Sequence, residues 1–201
     1  MNLSRCAKLY HSIREVRGTK KLLLKTNKKT NSMTQNIAGR LEISTFKAGF
    51  FSRVAHDLLL SVHRFTLEKR GNEVHGVFWT DSFHVEGIIE KGQTRTDILS
   101  SKDKRKILST IQNEILHTKR FPEARIEGRI ENEHFVGSLD LKGIKKNLSF
   151  PTVPFERGQC IRVEIRPSRW GIKPYKALMG ALQLEDKIEA RFIFEGDLTS
   201  Q

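Results

Sequence analysis

Apolar and polar positions alternate through much of this chain. In Phe83-His84-Val85-Glu86-Gly87-Ile88-Ile89-Glu90 the odd positions are mainly apolar, while His84, Glu86 and Glu90 take the other register. Arg125–Glu131, Ile161–Arg166 and Lys187–Phe192 repeat the pattern. Successive strand side chains point to opposite faces, so each run predicts a strand with one dry face and one wet face. Arg70-Gly71-Asn72, Glu131-Asn132-Glu133, Arg157-Gly158-Gln159 and Glu185-Asp186-Lys187 fall where hairpin turns are needed. Gly and Asn tolerate the positive φ of such turns. Short strands linked this tightly predict an antiparallel meander rather than βαβ units.

One stretch changes period. Ile107, Leu108, Ile111 and Ile115 recur at three- and four-residue spacing, which predicts one helix over Ser101–His117. Ser101 is the expected N-cap, Asp103 suits the first turn, and Pro122 bars the helix from running on. Lys102, Lys104, Arg105 and Lys106 read as its solvated outer face. Eight or so strands can close into a barrel, which removes unpaired edges. At that size the interior is either filled by side chains or holds one small ligand.

Hydrophobic residues make up 37% of the chain, enough for a core, and the longest apolar runs are Leu22–Leu24 and Leu58–Leu60. A membrane-spanning helix needs roughly 20 apolar residues, so none is expected. The net charge of +13 is uneven: residues 1–32 hold nine basic residues and one acidic, leaving only +5 for the rest. A body that balanced needs no polyanionic partner, and no specific nucleic-acid ligand is expected. Residues 1–35 form a basic leader expected to be disordered, and 36–198 the β domain. The leader lacks the apolar core of a secretory signal. It serves either as an arm touching phosphates or anionic lipid by charge, or is untranslated, with Met33 as the start. Cys6 and Cys160 form no CxxC pair, and Cys160 reads as a buried small hydrophobe in a reducing compartment. The expected location is therefore the cytoplasm.

Three segments resemble the YceI-like family. Phe51-Ser52-Arg53-Val54-Ala55-His56-Asp57-Leu58 is similar to its Ser-x-Val-x-His-Asp-Leu strand. Arg120-Phe121-Pro122-Glu123-Ala124 is similar to its helix-to-strand passage, and Gly137-Ser138-Leu139-Asp140-Leu141-Lys142-Gly143-Ile144 to its Gly-x-Leu-x-Leu-His-Gly-Val strand, with Lys142 in place of the His. Trp170-Gly171-Ile172, with the glycine-bearing stretch to Leu182, is similar to its Phe-Gly-Ile motif. Order and spacing agree over roughly residues 40–196. The resemblance implies an antiparallel eight-stranded lipocalin-like barrel with one amphipathic helix and an internal channel. It also implies an apolar small-molecule ligand of polyisoprenoid or quinone type, and export to the periplasm as the alternative location.

Phe83, Val85, Ile126, Ile130, Leu139, Leu141 and Val163 are the expected channel lining, with Leu178 and Met179 at its mouth. His56-Asp57 could mark a metal-dependent phosphohydrolase, but that chemistry needs further His and Asp ligands. A structural role weighs more, with Asp57 accepting backbone bonds, and contact of His56 with a ligand head group is the third reading. Arg169, Lys173 and Lys176 flank Trp170 and Tyr175, and Arg169, Lys173 and Tyr175 are the other head-group candidates. No phosphate loop and no Cys–His or Ser–His arrangement is legible, so no catalysis, metal or cofactor is expected. The rival readings are a filled barrel that meets a partner through its surface or leader, and a lipid-acting enzyme. Peripheral membrane contact is compatible with the charge, and the oligomeric state is open, a dimer included.

Overall fold

Strands of this alternating kind satisfy their backbone donors and acceptors through cross-strand ladders, which sort them into two antiparallel sheets. The computed structural model describes residues 33–48, 56–152, 160–177, 179 and 182–194. Residues 1–32, the turn at Arg157-Gly158-Gln159 and Leu178 lie outside the described residues, whereas Thr34 and Gln35, expected to end the disordered leader, pair with Arg70 and Lys69 and open the first strand. One sheet takes the order β1 (Thr34–Asn36), β4 (Phe65–Arg70), β5 (Glu73–Trp79), β8 (Glu123–Glu131), β9 (His134–Leu141) and β10 (Ile144–Pro151). The other runs β11 (Cys160–Ile165), β13 (Leu182–Phe194), β2 (Gly39–Lys47), β3 (Asp57–Val62), β6 (Phe83–Glu90) and β7 (Gln93–Arg95). β12 (Lys176–Ala177) pairs with β13. The mainly β architecture with one helix agrees with the expectation. The described strands number thirteen rather than eight, because short segments such as β1, β7 and β12 add pairing at the margins.

Register fixes which side chains share a face. In the first sheet Leu67, Gly76, Ile126 and Leu139 are cross-strand neighbours, as are Phe65, Phe78 and Ala124. In the second, Val163, Ala190, Ile43, Leu60 and Val85 form one row. The two apolar faces meet. Phe65 of β4 packs edge-on against Phe192 of β13 with ring centroids 5.6 Å apart. Leu139 and Leu148 of the first sheet cluster with Val163 and Ile165 of the second around Trp170. Trp170 ends a 3-10 turn at Pro167–Trp170 and is 0% exposed, its indole N–H donating to the Leu139 carbonyl at 2.9 Å.

Gly128 and Gly137 are cross-strand partners, and the Phe135 ring lies over both. A Cβ built at Gly137 would stand 2.2 Å from the Glu127 carbonyl oxygen and 2.6 Å from Phe135 Cζ. The ring occupies the space those side chains would need.

The helix differs from its expected form in two ways. Its N-cap is Ser100, not Ser101: the Ser100 hydroxyl accepts from the Asp103 N–H, and Asp103 reaches back to the Ser100 N–H. Two adjacent serines are equivalent in composition, and only the backbone turning out of the extended region selects one. After α1 (Ser101–Thr110) the winding loosens to a π turn over Ile111–Ile115 and stops near His117, five residues before Pro122. The basic stripe is solvated as expected except Lys104, which is half-buried and donates to the Glu86 carbonyl at 2.9 Å. That carbonyl belongs to the residue β6 inserts where its register with β3 shifts.

Glu185-Asp186-Lys187 is no hairpin turn. β13 runs through it as one strand, with a register shift against β2 between Leu184 and Ile188. A bulge borrows turn-like residues, and here Asp186 accepts from the Ser168 N–H at 2.9 Å and its hydroxyl at 2.5 Å.

Candidate functional site

The seven residues expected to line a channel all fall on the two facing apolar surfaces. Val85 and Leu139 are buried, whereas Phe83, Ile126, Ile130, Leu141 and Val163 are half-buried. In strand β4 (Phe65–Arg70) the inward positions are likewise half-buried. Tight burial is concentrated at particular spots, above all around Trp170. Met179 is fully exposed and does not line the interface between the sheets. Its backbone takes a positive φ of 54°.

The head-group candidates separate. His56 is exposed at the start of β3, and Asp57 beside it accepts from the Lys47 N–H at 2.8 Å. Arg169 stands over the Trp170 ring at 5.1 Å and donates to the Asn147 carbonyl. Lys173 and Tyr175, by contrast, share a cleft of about 760 Å³ with residues the sequence reading did not join to them. Its walls come from the end of the π turn (Glu114, Ile115, His117), the β9–β10 turn (Lys142), the segment Gly171–Lys176, and Gln183 of β13.

Local backbone geometry builds that cleft. Lys142 and Gly143 have φ of 56° and 73°, the left-handed pair of a tight hairpin turn. This sets the half-buried Lys142 against the helix end, where its ammonium donates to the Ile115 carbonyl at 2.7 Å. The last carbonyls of a helix lack partners within it, and a lysine there satisfies one and complements the dipole. His117 is also left-handed, at φ 53°, as is Gly171 at 69°, where a Cβ would crowd Ile144 Cδ1 at 3.2 Å. Ser168, three residues before Gly171, is tied to Asp186, and those two hydrogen bonds hold the Asp186 carboxyl below the ordinary aspartate value.

A second depression of similar volume lies on the first sheet between Glu73, His75, Arg129, Ser138, Lys145 and Asn147. Its cations are paired: Arg129 with Glu131, and Lys145 with Glu127 at 2.9 Å, which keeps the Glu127 carboxyl low. On the second sheet Ser61 donates to Glu86 and lies 2.9 Å from His63 Nε2, and His63 stacks on His84 at 3.7 Å. A catalytic triad needs the carboxylate on the far ring nitrogen. Here Glu86 approaches the same Nε2, at 3.8 Å, so no relay forms. Among the described residues no cluster of three or more metal-ligating side chains occurs. No described helix is long and apolar enough to cross a membrane.

No family model and no curated protein matches the sequence. Among solved structures, the backbone is similar to a polyisoprenoid-binding domain from Saccharophagus degradans implicated in plant cell wall breakdown. The TM-score is 0.49 at 10% identity, over 80% of this chain and 94% of that one. At that identity no residue here inherits a role from that domain.

Proposed function

We propose that the chain binds an apolar ligand of isoprenoid or quinone type between its two sheets and performs no chemistry on it. The observation that carries this reading is the half-burial of facing apolar positions away from the Trp170 cluster, such as Phe83, Leu67 and Ile130. Interiors without a guest are packed to crystal-like density, so apolar side chains that face one another and keep accessible surface favour space for one. Each CH₂ moved from water contributes about 0.8 kcal/mol. A ligand of several isoprene units thereby offsets an association cost on the order of 4–15 kcal/mol. Affinity then grows with chain length. The resemblance of the Gly137–Ile144 and Trp170–Leu182 segments to the YceI-like family points the same way.

The test is uptake of farnesol by the full-length protein, read by titration calorimetry, together with mass spectrometry of lipids extracted from the purified protein. Ala190→Trp places a large ring in the row between Val163 and Ile43 and is expected to abolish uptake. Val136→Trp, on an exposed position of the first sheet, serves as the control. An empty extract with no farnesol uptake by the parent protein removes the proposal.

A further inference from the structure

We infer that the cleft between the helix end and the β9–β10 turn is an anion site for a phosphate or diphosphate group. The inference rests on the proposed lipid binding only for the question of which molecule carries that group.

Charge is the first argument. Lys142, Lys173 and Lys176 line the cleft against one carboxylate, Glu114, with His117 and the Tyr175 side chain beside them. Elsewhere many strand cations are matched by a carboxylate, as in Arg125–Glu123, Lys145–Glu127 and Lys187–Glu164. Among the described residues Lys173 and Lys176 have no such partner. Like charges gathered in one concavity repel, and an arriving anion removes that repulsion.

Geometry is the second. An ammonium has three donors, and Lys142 uses one on the Ile115 carbonyl at 2.7 Å. That bond anchors a half-buried cation while leaving two N–H groups for a guest. The cleft is also where irregular backbone converges: the π turn, and left-handed residues at His117, Lys142, Gly143 and Gly171. Such conformations persist only where surrounding structure over-determines them. Here they bring three segments far apart in sequence to one cationic wall. The depression on the first sheet, of equal volume, lacks this surplus because its Lys and Arg are already paired.

The experiment titrates the full-length protein by calorimetry with pyrophosphate, farnesol and farnesyl diphosphate, at low and high salt. Two variants are compared with the parent: Lys173→Gln/Lys176→Gln, both exposed, and Lys142→Gln. A control, Lys102→Gln/Lys106→Gln, removes two exposed cations from the helix. The parent is expected to bind pyrophosphate, more weakly at high salt. The Lys173/Lys176 double variant should bind it about tenfold less tightly, each exposed lysine–anion pair being a few-fold effect. The helix control should leave binding unchanged.

Farnesyl diphosphate binding more tightly than both farnesol and pyrophosphate identifies a lipid head group as the source. Pyrophosphate binding with no gain from the farnesyl chain identifies a free phosphate compound, and the site stands without the lipid reading. Farnesol and farnesyl diphosphate binding equally, with no pyrophosphate binding, overturns the anion site and leaves the lipid reading intact. An equal loss in the helix control also overturns it, because the attraction would then be general charge. Absence of all binding overturns both.

Discussion

Trp170 joins the packed core to the cleft, and its replacement tests that account. The side chain is fully buried, donates to the Leu139 carbonyl at 2.9 Å, and contacts apolar residues of both sheets. Trp170→Phe keeps a ring but removes one hydrogen bond, about 0.5–1.5 kcal/mol, with a further loss for the smaller ring. The expected cost is about 2 kcal/mol. Trp170→Ala opens a cavity at the junction of the sheets and should cost about 3–5 kcal/mol. For a domain of this size each kcal/mol lowers Tm by about 2–4 °C, so the Phe variant should melt about 4–8 °C early. Urea unfolding of parent and variants, followed by far-UV circular dichroism, gives the values directly. The midpoint should move while the slope m stays constant, since the same surface is exposed. The only other tryptophan is Trp79, so the variant's fluorescence isolates that residue. A Trp170→Ala midpoint within about 1 kcal/mol of the parent would falsify the claim that this side chain locks the sheets together.

Further outcomes follow from particular contacts. Gly137→Ala drives a Cβ to 2.2 Å from backbone oxygen and should destabilise by about 3 kcal/mol, whereas Gly92→Ala meets nothing within 4 Å and should cost only about 1 kcal/mol for its positive φ. Equal chemical-denaturation midpoints for the two variants would contradict this. Ser100→Ala breaks the capping box and should cost about 1 kcal/mol, a loss that Ser101→Ala does not reproduce in the same melts. The Asp186 carboxyl is held below its ordinary value of 3.8 by the Ser168 hydroxyl and N–H. A depressed acid releases its proton more readily when folded, so its contribution is full above that value and is lost as pH falls below it. Urea midpoints measured from neutrality down through the acid range should fall less steeply in Asp186→Asn, and parallel curves would show that the contact adds nothing.

Wet and dry faces are written in the order of the residues. Side-chain alternation is a local property with a period of two, so Phe83, Val85, Ile126, Ile130, Leu139, Leu141 and Val163 could each be assigned to the dry face of its strand without coordinates. The helix was legible for the same reason, through its own period. Local composition failed where two structures share it. Glu185-Asp186-Lys187 has the residues of a turn but forms a bulge inside one strand, and adjacent Ser100 and Ser101 differ only in backbone angle. The cleft was not legible as a unit. Lys173 and Tyr175 stood out beside aromatics, but Lys142 read as a departure from a motif, and nothing local tied it to Ile115 and His117. Those residues come together only because the β9–β10 register ends in a left-handed turn at Lys142 and the helix stops in a π turn beside it. Periodicity is encoded residue by residue. A charged concavity depends on where long-range pairing brings separate segments, and no local stretch of residues carries that information.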